Sequence, residues 1–401
     1  MKKIELLSPA GNLEKLKYVY EYGADAAYVG IGGLSLRSRA ENFEAVTPDE
    51  LESIKGNQKL YGAVNIYFAD TNLDLLMDKI DDIRNGPYDA LIVSDLGAAR
   101  RLQKELPHIR LHLSTQANCT NSESAKMYRD LGFSRIILSR ELSLKQIERI
   151  RRAVPDIELE VFVHGAMCWA YSGRCYLSAF LASRSANQGN CAHSCRWEYR
   201  VLEERKRPGE YLPVEEGEGY TLVLSSKDLC MFDYMPKLID TGIDSCKIEG
   251  RMKSLYYGAV VTRAYRKAID AARGRPITNL LGFREELFKV SHREFSTGFF
   301  FGDPDSQLPA ESEYQREYLF LGTIGREVAE HIFELSVKNQ LRAGDEIEYI
   351  GPDIIYEVDK QFVLLDGDKN EVVKIDHGRP AFICTSRRIR HGYIIRKRIP
   401  R

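Results

Sequence analysis

Short apolar runs alternate with amphipathic segments along roughly the first two thirds of the chain. Eight of the runs have the length and the β-branched and aromatic content of strands that are buried on both faces. They are 4–7, 26–30, 60–67, 90–94, 110–115, 135–139, 157–163 and 245–248. Between them, segments such as LEKLKYVYEYG and SLKQIERIRRAVP repeat apolar residues at helical spacing and end at Gly or Pro.

This alternation predicts an α/β fold, a (β/α)8 TIM-like barrel, because strand and helix are repeated eight times. A doubly wound open sheet is the alternative. Its dinucleotide-binding form has little support, since no G-x-G-x-x-G follows the first strand.

The pattern changes at Tyr318 to short alternating runs such as YLFLGTI, FELSV and AFICTS, separated by Gly-Asp and Asp-Gly turns. It predicts a small C-terminal antiparallel β-barrel. The stretch 307–317 is polar, so we place a boundary near residue 315, with a catalytic barrel at 1–315 and the small barrel at 316–401.

The segment RRIRHGYIIRKRIPR at the end of the sequence is basic and contains no acid. Basic residues interleaved with Tyr and Ile suit a patch that binds an RNA phosphate backbone. The candidate contacts are Arg387, Arg388, Arg390, Arg396, Lys397 and Arg398. An edge strand guarded by charges is the other interpretation.

Composition narrows the function classes. The sequence has 401 residues, 44% of them hydrophobic, and a net charge of −1, so no global field indicates a polyanionic partner. No apolar run approaches the roughly 20 residues of a membrane span, and MKKIELLSPAGN does not have the pattern of a signal peptide. We therefore expect a cytoplasmic protein with no membrane partner, in which clustered cysteines bind metal or act in catalysis.

Residues 161–197 contain half of the eight cysteines: Cys168, Cys175, Cys191 and Cys195. They follow a strand-like run and lie among Gly, Ser, Asn and Arg. Four thiolates are the ligand set of an iron–sulfur cluster or of a structural zinc, and the presence of only one tight pair favours iron–sulfur. Cys230 is an alternative fourth ligand if the chain returns to this loop. Four unrelated buried thiols remain the simplest alternative.

Polar residues follow every predicted barrel strand, at the end where the active sites of such barrels lie. They are Ser8, Arg37, Arg39, Asn65, Asp95, Gln116, Asn118, Arg140, Glu141, His164, Glu249 and Arg251. Each of them taken singly is explained as a helix cap or a surface group, and Ser8 and Asp95 are good cap candidates. Their coincidence at eight strand ends predicts a functional site at this rim.

The stretches ELLSPAGN, LHLSTQAN, VFVHGAMCWAYSGRCYLS, NQGNCAHSCRWEY, SSKDLC and SCKIEGRMKSLYY resemble the collagenase-like peptidase family, peptidase family U32. The resemblance is specific over about residues 1–300 and weak beyond. Within the family it is strongest to the tRNA hydroxylation branch, which converts the wobble uridine of tRNA to 5-hydroxyuridine. That implies an iron–sulfur cluster of the 4Fe–4S type, prephenate as co-substrate and source of the hydroxyl oxygen, and tRNA as partner.

Other activities in the family keep alternatives open. Some branches hydroxylate ribosomal RNA or quinone precursors, and a peptidase follows from the family's name. The sequence shows no Ser-His-Asp pattern and no H-E-x-x-H, which gives the peptidase little support. A second copy of the chain or a paralogous subunit is a further candidate partner.

The resemblance also assigns residues. Cys168, Cys175, Cys191 and Cys195 match the tRNA branch, whereas the quinone branch would replace Cys195 with Cys230, so the fourth ligand is open. The remaining cysteines, Cys119, Cys246 and Cys384, are expected to be packing residues.

The catalytic candidates are Arg39, Asn65, Gln116, His164, Glu249 and Arg251. A guanidinium matches a carboxylate bidentately, so strand-end arginines would clamp the two carboxylates of prephenate. Arg39 and Arg251 are the preferred pair, oriented by Glu41 and Glu249, unless these residues form mutual ion pairs that stabilise the rim. The candidates for stacking a base are Trp169, Tyr171 and Trp197.

Overall fold

The computed structural model describes residues 3–36, 43, 46–167, 174–175, 177–182, 184–192, 194, 215–217, 220–222, 226–302 and 315–399. The strands of its first part are β1 (Glu5–Pro9), β2 (Ala26–Gly30), β3 (Lys59–Val64), β4 (Ala90–Val93), β5 (Arg110–Leu113), β6 (Arg135–Ile137), β7 (Glu158–Ala166), β8 (Glu215–Gly217), β9 (Tyr220–Leu222), β10 (Asp228–Cys230), β11 (Ser245–Ile248) and β12 (Phe295–Ser296).

The helices are α1 (Leu13–Glu21), α2 (Pro48–Lys55), α3 (Asp70–Asp78), α4 (Ile80–Asn85), α5 (Leu96–Glu105), α6 (Ser122–Asp130), α7 (Leu144–Ala153), α8 (Leu177–Ala182), α9 (Met235–Asp240), α10 (Leu255–Ala272) and α11 (Leu280–Glu286). None of the described helices is long and apolar enough to cross a membrane.

Strands β1 to β7 pair in parallel, each with the next along the chain. Strand β11 closes the ring, since Ser245 lies opposite Glu5 on one side and Glu160 on the other. The predicted (β/α)8 barrel is therefore confirmed. All eight predicted strands are present, and two of them, β2 and β11, have the predicted bounds.

Strand β7 continues past the point of closure. Its last residues pair antiparallel with β10, so that His164 lies opposite Cys230, and β10 pairs in turn with β12. Gly165 is needed at this crossing, because its φ is 108° and a Cβ there would lie 2.5 Å from the carbonyl oxygen of Glu249. The chain thus brings Cys230 back to the rim where the cysteine loop begins.

The barrel interior is charged, whereas most barrels of this type are filled by aliphatic side chains. Arg135 donates to Glu5 at 2.5 Å and to Glu160 at 2.8 Å, and Lys247 lies 3.1 Å from Glu160. Burial by itself raises the pKa of Glu5, but Arg135 and Lys59 outweigh burial and lower this pKa to about 2. The interior is therefore stabilised by ion pairs.

The C-terminal strands are β13 (Tyr318–Ala329), β14 (Ile332–Val337), β15 (Leu341–Arg342), β16 (Ile347–Ile350), β17 (Glu357–Asp359), β18 (Val363–Asp366), β19 (Glu371–Val372), β20 (Lys374–Ile375), β21 (Ala381–Cys384) and β22 (Ile394–Arg398). Eight of them form one antiparallel sheet in the order β17-β16-β22-β13-β14-β21-β18-β19. The sheet curls around its own apolar core as a half-barrel, which confirms the predicted antiparallel C-terminal fold.

This sheet packs against the barrel helices. The Tyr22 hydroxyl donates to the carbonyl oxygens of Ile350 at 2.9 Å and Gly392 at 3.0 Å. Arg396 is fully buried at the same interface. The prediction that Arg396 contacts phosphate is therefore wrong, because its guanidinium donates to the Tyr256 hydroxyl at 2.7 Å and to the Glu286 carboxylate at 2.9 Å inside the protein.

Candidate active site at the barrel rim

Arg251 follows β11 and is only 4% exposed. Its Nη1 donates to the Ser35 hydroxyl, which lies beyond β2, at 3.2 Å. A Cβ on Gly30, the last residue of β2, would lie 2.4 Å from this nitrogen, so the absence of a side chain there makes room for the guanidinium. The sequence thus places a cation across the mouth between β11 and β2.

Arg140 supplies a second cation from the loop after β6. Its guanidinium carbon lies 3.8 Å from the centre of the Phe162 ring, and its Nη1 donates to the Ala166 carbonyl at 2.7 Å. Its Nη2 lies 3.5 Å from a carboxylate oxygen of Glu249. The stacking and the backbone hydrogen bond fix the orientation of the guanidinium before any ligand binds.

The amide candidates lie after β3 and β5. Asn65 accepts a hydrogen bond from the Leu36 N–H at 3.1 Å and donates to the Ser114 hydroxyl at 3.5 Å, so it joins neighbouring rim segments. Gln116 lies in the short 3-10 turn Thr115–Ala117, and its Oε1 is buried with no hydrogen-bond partner in the described part of the chain. A buried acceptor without a partner is costly, so this oxygen is available to a ligand.

His164 lies at the end of β7, buried among the rings of Tyr257, Tyr265 and Phe295. Its Nδ1 is 3.3 Å from the Tyr265 hydroxyl. Desolvation lowers the pKa of His164 to about 3. The imidazole is therefore uncharged near pH 7, and any catalytic part that it plays is that of a neutral ring.

Of Ser8 and Asp95, the two residues predicted to be helix N-caps, only Asp95 is one. Asp95 accepts a hydrogen bond from the third residue of α5 at 2.8 Å and is its N-cap. Ser8 is instead 2.8 Å from the Thr262 hydroxyl of α10, and Asn12 caps α1. Ser8 was the wrong choice because β1 continues to Pro9 and the helix begins later.

Two of the four loop cysteines are described. Cys175 and Cys191 are both half-buried. The backbone N–H of Cys175 donates to Asn187 at 3.1 Å, and the Asn187 carbonyl accepts from the N–H of Tyr67 at 3.0 Å. The loop is therefore tied to the segment that follows β3.

Two of the other cluster-ligand candidates, Cys168 and Cys195, lie outside the described residues. The same is true of the carboxylate-binding candidates Arg37 and Arg39 with Glu41, and of the base-stacking candidates Trp169, Tyr171 and Trp197. Cys230 packs against the barrel core with its sulfur 3.6 Å from the Tyr265 hydroxyl. Within the described ranges, no three His, Cys, Asp or Glu side chains are grouped to hold a metal ion.

The other cysteines include two core residues. Cys119 and Cys246 are fully buried in the barrel core, which confirms them as packing residues, and Cys384 is half-buried on β21.

Sequence reasoning missed Lys247, whose ammonium lies 4.3 Å from the Tyr28 ring centre inside the barrel. The available signal was a lysine within the apolar strand run SCKI.

Comparison with known proteins gives matches along most of the chain. The family described as "Peptidase family U32" matches residues 11–309, and "Peptidase family U32 C-terminal domain" matches residues 316–396. A "tRNA hydroxylation protein P1" of Bacillus subtilis is 37% identical over 94% of this chain and 90% of its own length.

Two further relatives have other names. A "23S rRNA 5-hydroxycytidine C2501 synthase" of Escherichia coli is 34% identical over 86% of this chain and 52% of its own length. A "Collagenase" of Porphyromonas gingivalis is 32% identical over 87% of this chain and 86% of its own length.

Proposed function

The chain belongs to peptidase family U32, and from that premise we propose that it is an RNA-modifying enzyme that hydroxylates the wobble uridine of tRNA to 5-hydroxyuridine. Prephenate is the proposed oxygen source, and an iron–sulfur cluster the proposed cofactor. The Bacillus relative named for tRNA hydroxylation supports the substrate, because it matches through both the barrel and the C-terminal sheet. A tRNA substrate would place the reaction in the cytoplasm.

The observation that carries the proposal is the pair of restrained guanidinium groups, Arg140 and Arg251, at one end of the barrel. A dicarboxylate loses several kcal/mol of hydration on entering such a mouth unless cations meet it. Prephenate has two carboxylates, and each arginine would meet one of them. Glu249 lies 3.5 Å from Arg140 and would hold that guanidinium in place between turnovers.

The uridine would need a separate contact. The buried Gln116 Oε1 is an acceptor without a partner in the described part of the chain. The imide N–H of uracil is a donor of matching type, and a base removed from its stack is read at this edge. Gln116 would then hold the ring while the hydrogen at C5 is replaced by a hydroxyl group.

Cys175 and Cys191 would hold the cluster, together with Cys168 and Cys195 from the same loop. When bound, the cluster supplies electron transfer next to the co-substrate. Cys230 is the less suitable fourth ligand, because its sulfur is already in contact with Tyr265 and the barrel core.

A peptidase is the second candidate, favoured by the collagenase of Porphyromonas gingivalis among the relatives. The buried histidines of the described part do not support it. His164 contacts Tyr265, His292 contacts backbone carbonyls, and both nitrogens of His112 have no partner there. In these contacts none of the three histidines is hydrogen-bonded to a serine or a cysteine, which is the arrangement that activates such a nucleophile.

The test uses anaerobically purified full-length protein with prephenate. In parallel reactions the protein is given tRNA from a strain that lacks the gene, ribosomal RNA from the same strain, or gelatin. Nucleoside mass spectrometry should show 5-hydroxyuridine only when prephenate is present, and the protein should carry about four irons, as a cubane cluster has. Formation of 5-hydroxycytidine in ribosomal RNA instead would favour the rRNA activity. Cleavage of gelatin without any modified nucleoside would show that the proposal is wrong.

A further inference from the structure

Two aromatic side chains are exposed on the flank of the barrel, outside the rim residues described above. Tyr234, just before α9, is 36% exposed, and Phe301, after β12, is 42% exposed. Their ring centres are 4.8 Å apart at an angle of 62°. The ammonium of the exposed Lys237 lies 5.8 Å from the first ring and 5.5 Å from the second.

A third exposed ring continues this surface. Asp233, the neighbour of Tyr234, makes an ion pair with Arg284 of α11 at 2.8 Å. The Arg284 guanidinium lies 5.5 Å from the ring centre of Phe288, which is 41% exposed. We call Tyr234, Phe288 and Phe301 the aromatic strip.

The strip reaches the rim through further rings. Phe288 packs edge-on against Phe295 of β12 with ring centres 5.1 Å apart, and Phe295 is 5.4 Å from the ring of His164. His164 is the residue of β7 that pairs with Cys230. An RNA segment that delivers one base to the rim would therefore have its neighbouring nucleotides beside the strip.

The Phe301 end of the strip is also held in place before any ligand arrives. The turn that carries Phe301 is fixed at Phe300, whose carbonyl accepts the N–H of Leu144 at the start of α7 at 2.9 Å. The turn begins at Gly298, which has a φ of 59°, and closes with a Gly302 N–H to Phe299 carbonyl bond of 2.9 Å. Stacking on a ring that is already fixed costs little conformational entropy.

We propose that the aromatic strip is a stacking surface for unpaired nucleobases of the RNA substrate, next to the base that enters the rim. This inference rests on the proposed function. Every base offers a π-face to an aromatic ring, and cations beside the rings meet the phosphates. A protein partner fits less well, since Lys237 and the Asp233–Arg284 pair lie among the rings and charged residues are depleted in the cores of protein interfaces.

The test compares two RNA probes: a hairpin with a seven-nucleotide single-stranded loop, and a blunt duplex with the same number of phosphates. Tyr234→Ala combined with Phe301→Ala should weaken hairpin binding by tenfold or more. Duplex binding should stay within twofold, because only stacking is lost. Phe288→Ala should act in the same direction, while Tyr234→Phe should retain hairpin binding.

Met127→Ala with Leu131→Ala is the matched control, since these exposed apolar residues lie on or next to α6. Equal hairpin affinity for the strip variant and the wild type would overturn the inference. So would an equal loss for hairpin and duplex, or failure of the wild-type protein to bind the hairpin. A variant that keeps its RNA affinity but changes oligomeric state in sedimentation would show a protein interface instead.

The two proposals fail in different ways. Wild-type protein that binds the hairpin through the strip but forms no 5-hydroxyuridine would contradict the proposed function alone. Protein that forms 5-hydroxyuridine with unchanged efficiency after loss of the strip would contradict the stacking surface alone.

Discussion

The guanidinium of Arg396 on β22 and the carboxylate of Glu286 at the end of α11 form a two-point ion pair, with N–O distances of 2.8 and 2.9 Å and both side chains fully buried. Arg263 of α10 adds a third contact to the same carboxylate at 3.2 Å. Arg396 comes from the C-terminal sheet, while the other two residues come from the barrel part. The most basic segment of the sequence therefore contributes to the junction between the two parts.

Replacing Arg396 with Met should destabilise the protein by about 3–5 kcal/mol, because the change leaves the Glu286 carboxylate buried without its main partner. Urea unfolding at neutral pH measures the loss. Arg388→Met is the matched control, since Arg388 is exposed on the same segment, and it should change the unfolding free energy by less than about 0.5 kcal/mol. Equal effects of the two variants would show that the buried pair contributes little.

The phosphate contacts predicted for the C-terminal segment now concern its exposed arginines. They are Arg387, Arg388, Arg390 and Arg398, of which the first three precede β22. Changing the first three to Gln should make the slope of log affinity for tRNA against log salt less negative by about 2–3, because each lost phosphate contact reduces counterion release. Binding should weaken equally for different tRNA sequences. The control triple, Lys104→Gln, Lys145→Gln and Arg152→Gln on barrel helices, should leave the slope unchanged. If the C-terminal triple also leaves the slope unchanged, these arginines do not bind phosphate and only protect the edge of the sheet from pairing with another chain.

Much of the fold followed from the sequence because parallel strands buried on both faces are continuous apolar runs. Strands β2 and β11 were predicted to the residue. The fate of Arg396 was not predictable, since a basic strand residue has the same local pattern whether it faces solvent or a buried Glu286, distant in sequence. The same reason hid the interior pairs of Glu5, Arg135 and Lys247, which join strands that are far apart along the chain.

The candidate site was predicted in outline for a related reason. Barrel topology brings all strand ends to one rim, so the polar residues there could be gathered without knowing their contacts. Their individual partners depend on tertiary distances. The 3.5 Å approach of Glu249 to Arg140, and the enclosure of His164 by three aromatic rings, have no local signature.

Stability should fall steeply in acid because of Glu5. Its pKa is about 2 in the folded protein against a usual value of 4.5, so its stabilising contribution is complete above pH 4.5 and is lost as the pH falls towards 2. The lost contribution amounts to about 3 kcal/mol. Glu5→Gln should be less stable than the wild type at pH 7, and the difference should shrink as the pH falls from 5 to 2.

Urea unfolding at several pH values measures that difference. Glu52→Gln is the control, because Glu52 is exposed on α2, and its difference from the wild type should stay small throughout. A Glu5→Gln difference that is constant with pH would contradict the ion-pair account of the barrel interior.

The fourth cluster ligand is decided by iron content. Cys195→Ser should reduce the iron of anaerobically purified protein and bleach its charge-transfer absorption, since a cluster with three protein ligands is labile. Cys230→Ser should keep both signals, because the Cys230 sulfur packs against the core next to Tyr265. Cys246→Ser controls for the loss of a buried thiol. The opposite result for Cys195 and Cys230 would assign the fourth ligand to β10.

The last prediction concerns Arg140 and Arg251, the two arginines proposed to bind the carboxylates of prephenate. Arg251→Gln and Arg140→Gln each remove one guanidinium from the rim, so each should reduce prephenate-dependent hydroxylation at least a hundredfold, because a bidentate carboxylate contact and its charge are lost together. Arg251→Lys should recover only a small part of this activity, since an ammonium keeps the charge but not the planar fork. Steady-state kinetics with prephenate as the varied substrate measure the effect.

A control variant for Arg251 follows from its contacts, since its guanidinium also donates to Ser35 and occupies the space beside Gly30. Ser35→Ala removes that hydrogen bond but keeps the guanidinium. If Arg251 binds the co-substrate, Ser35→Ala should retain most of the activity, and Arg251→Gln should keep its iron content and its unfolding free energy to within about 1 kcal/mol. Loss of the cluster or of folding in Arg251→Gln would instead make this arginine a structural part of the rim, and full activity would place the carboxylates elsewhere.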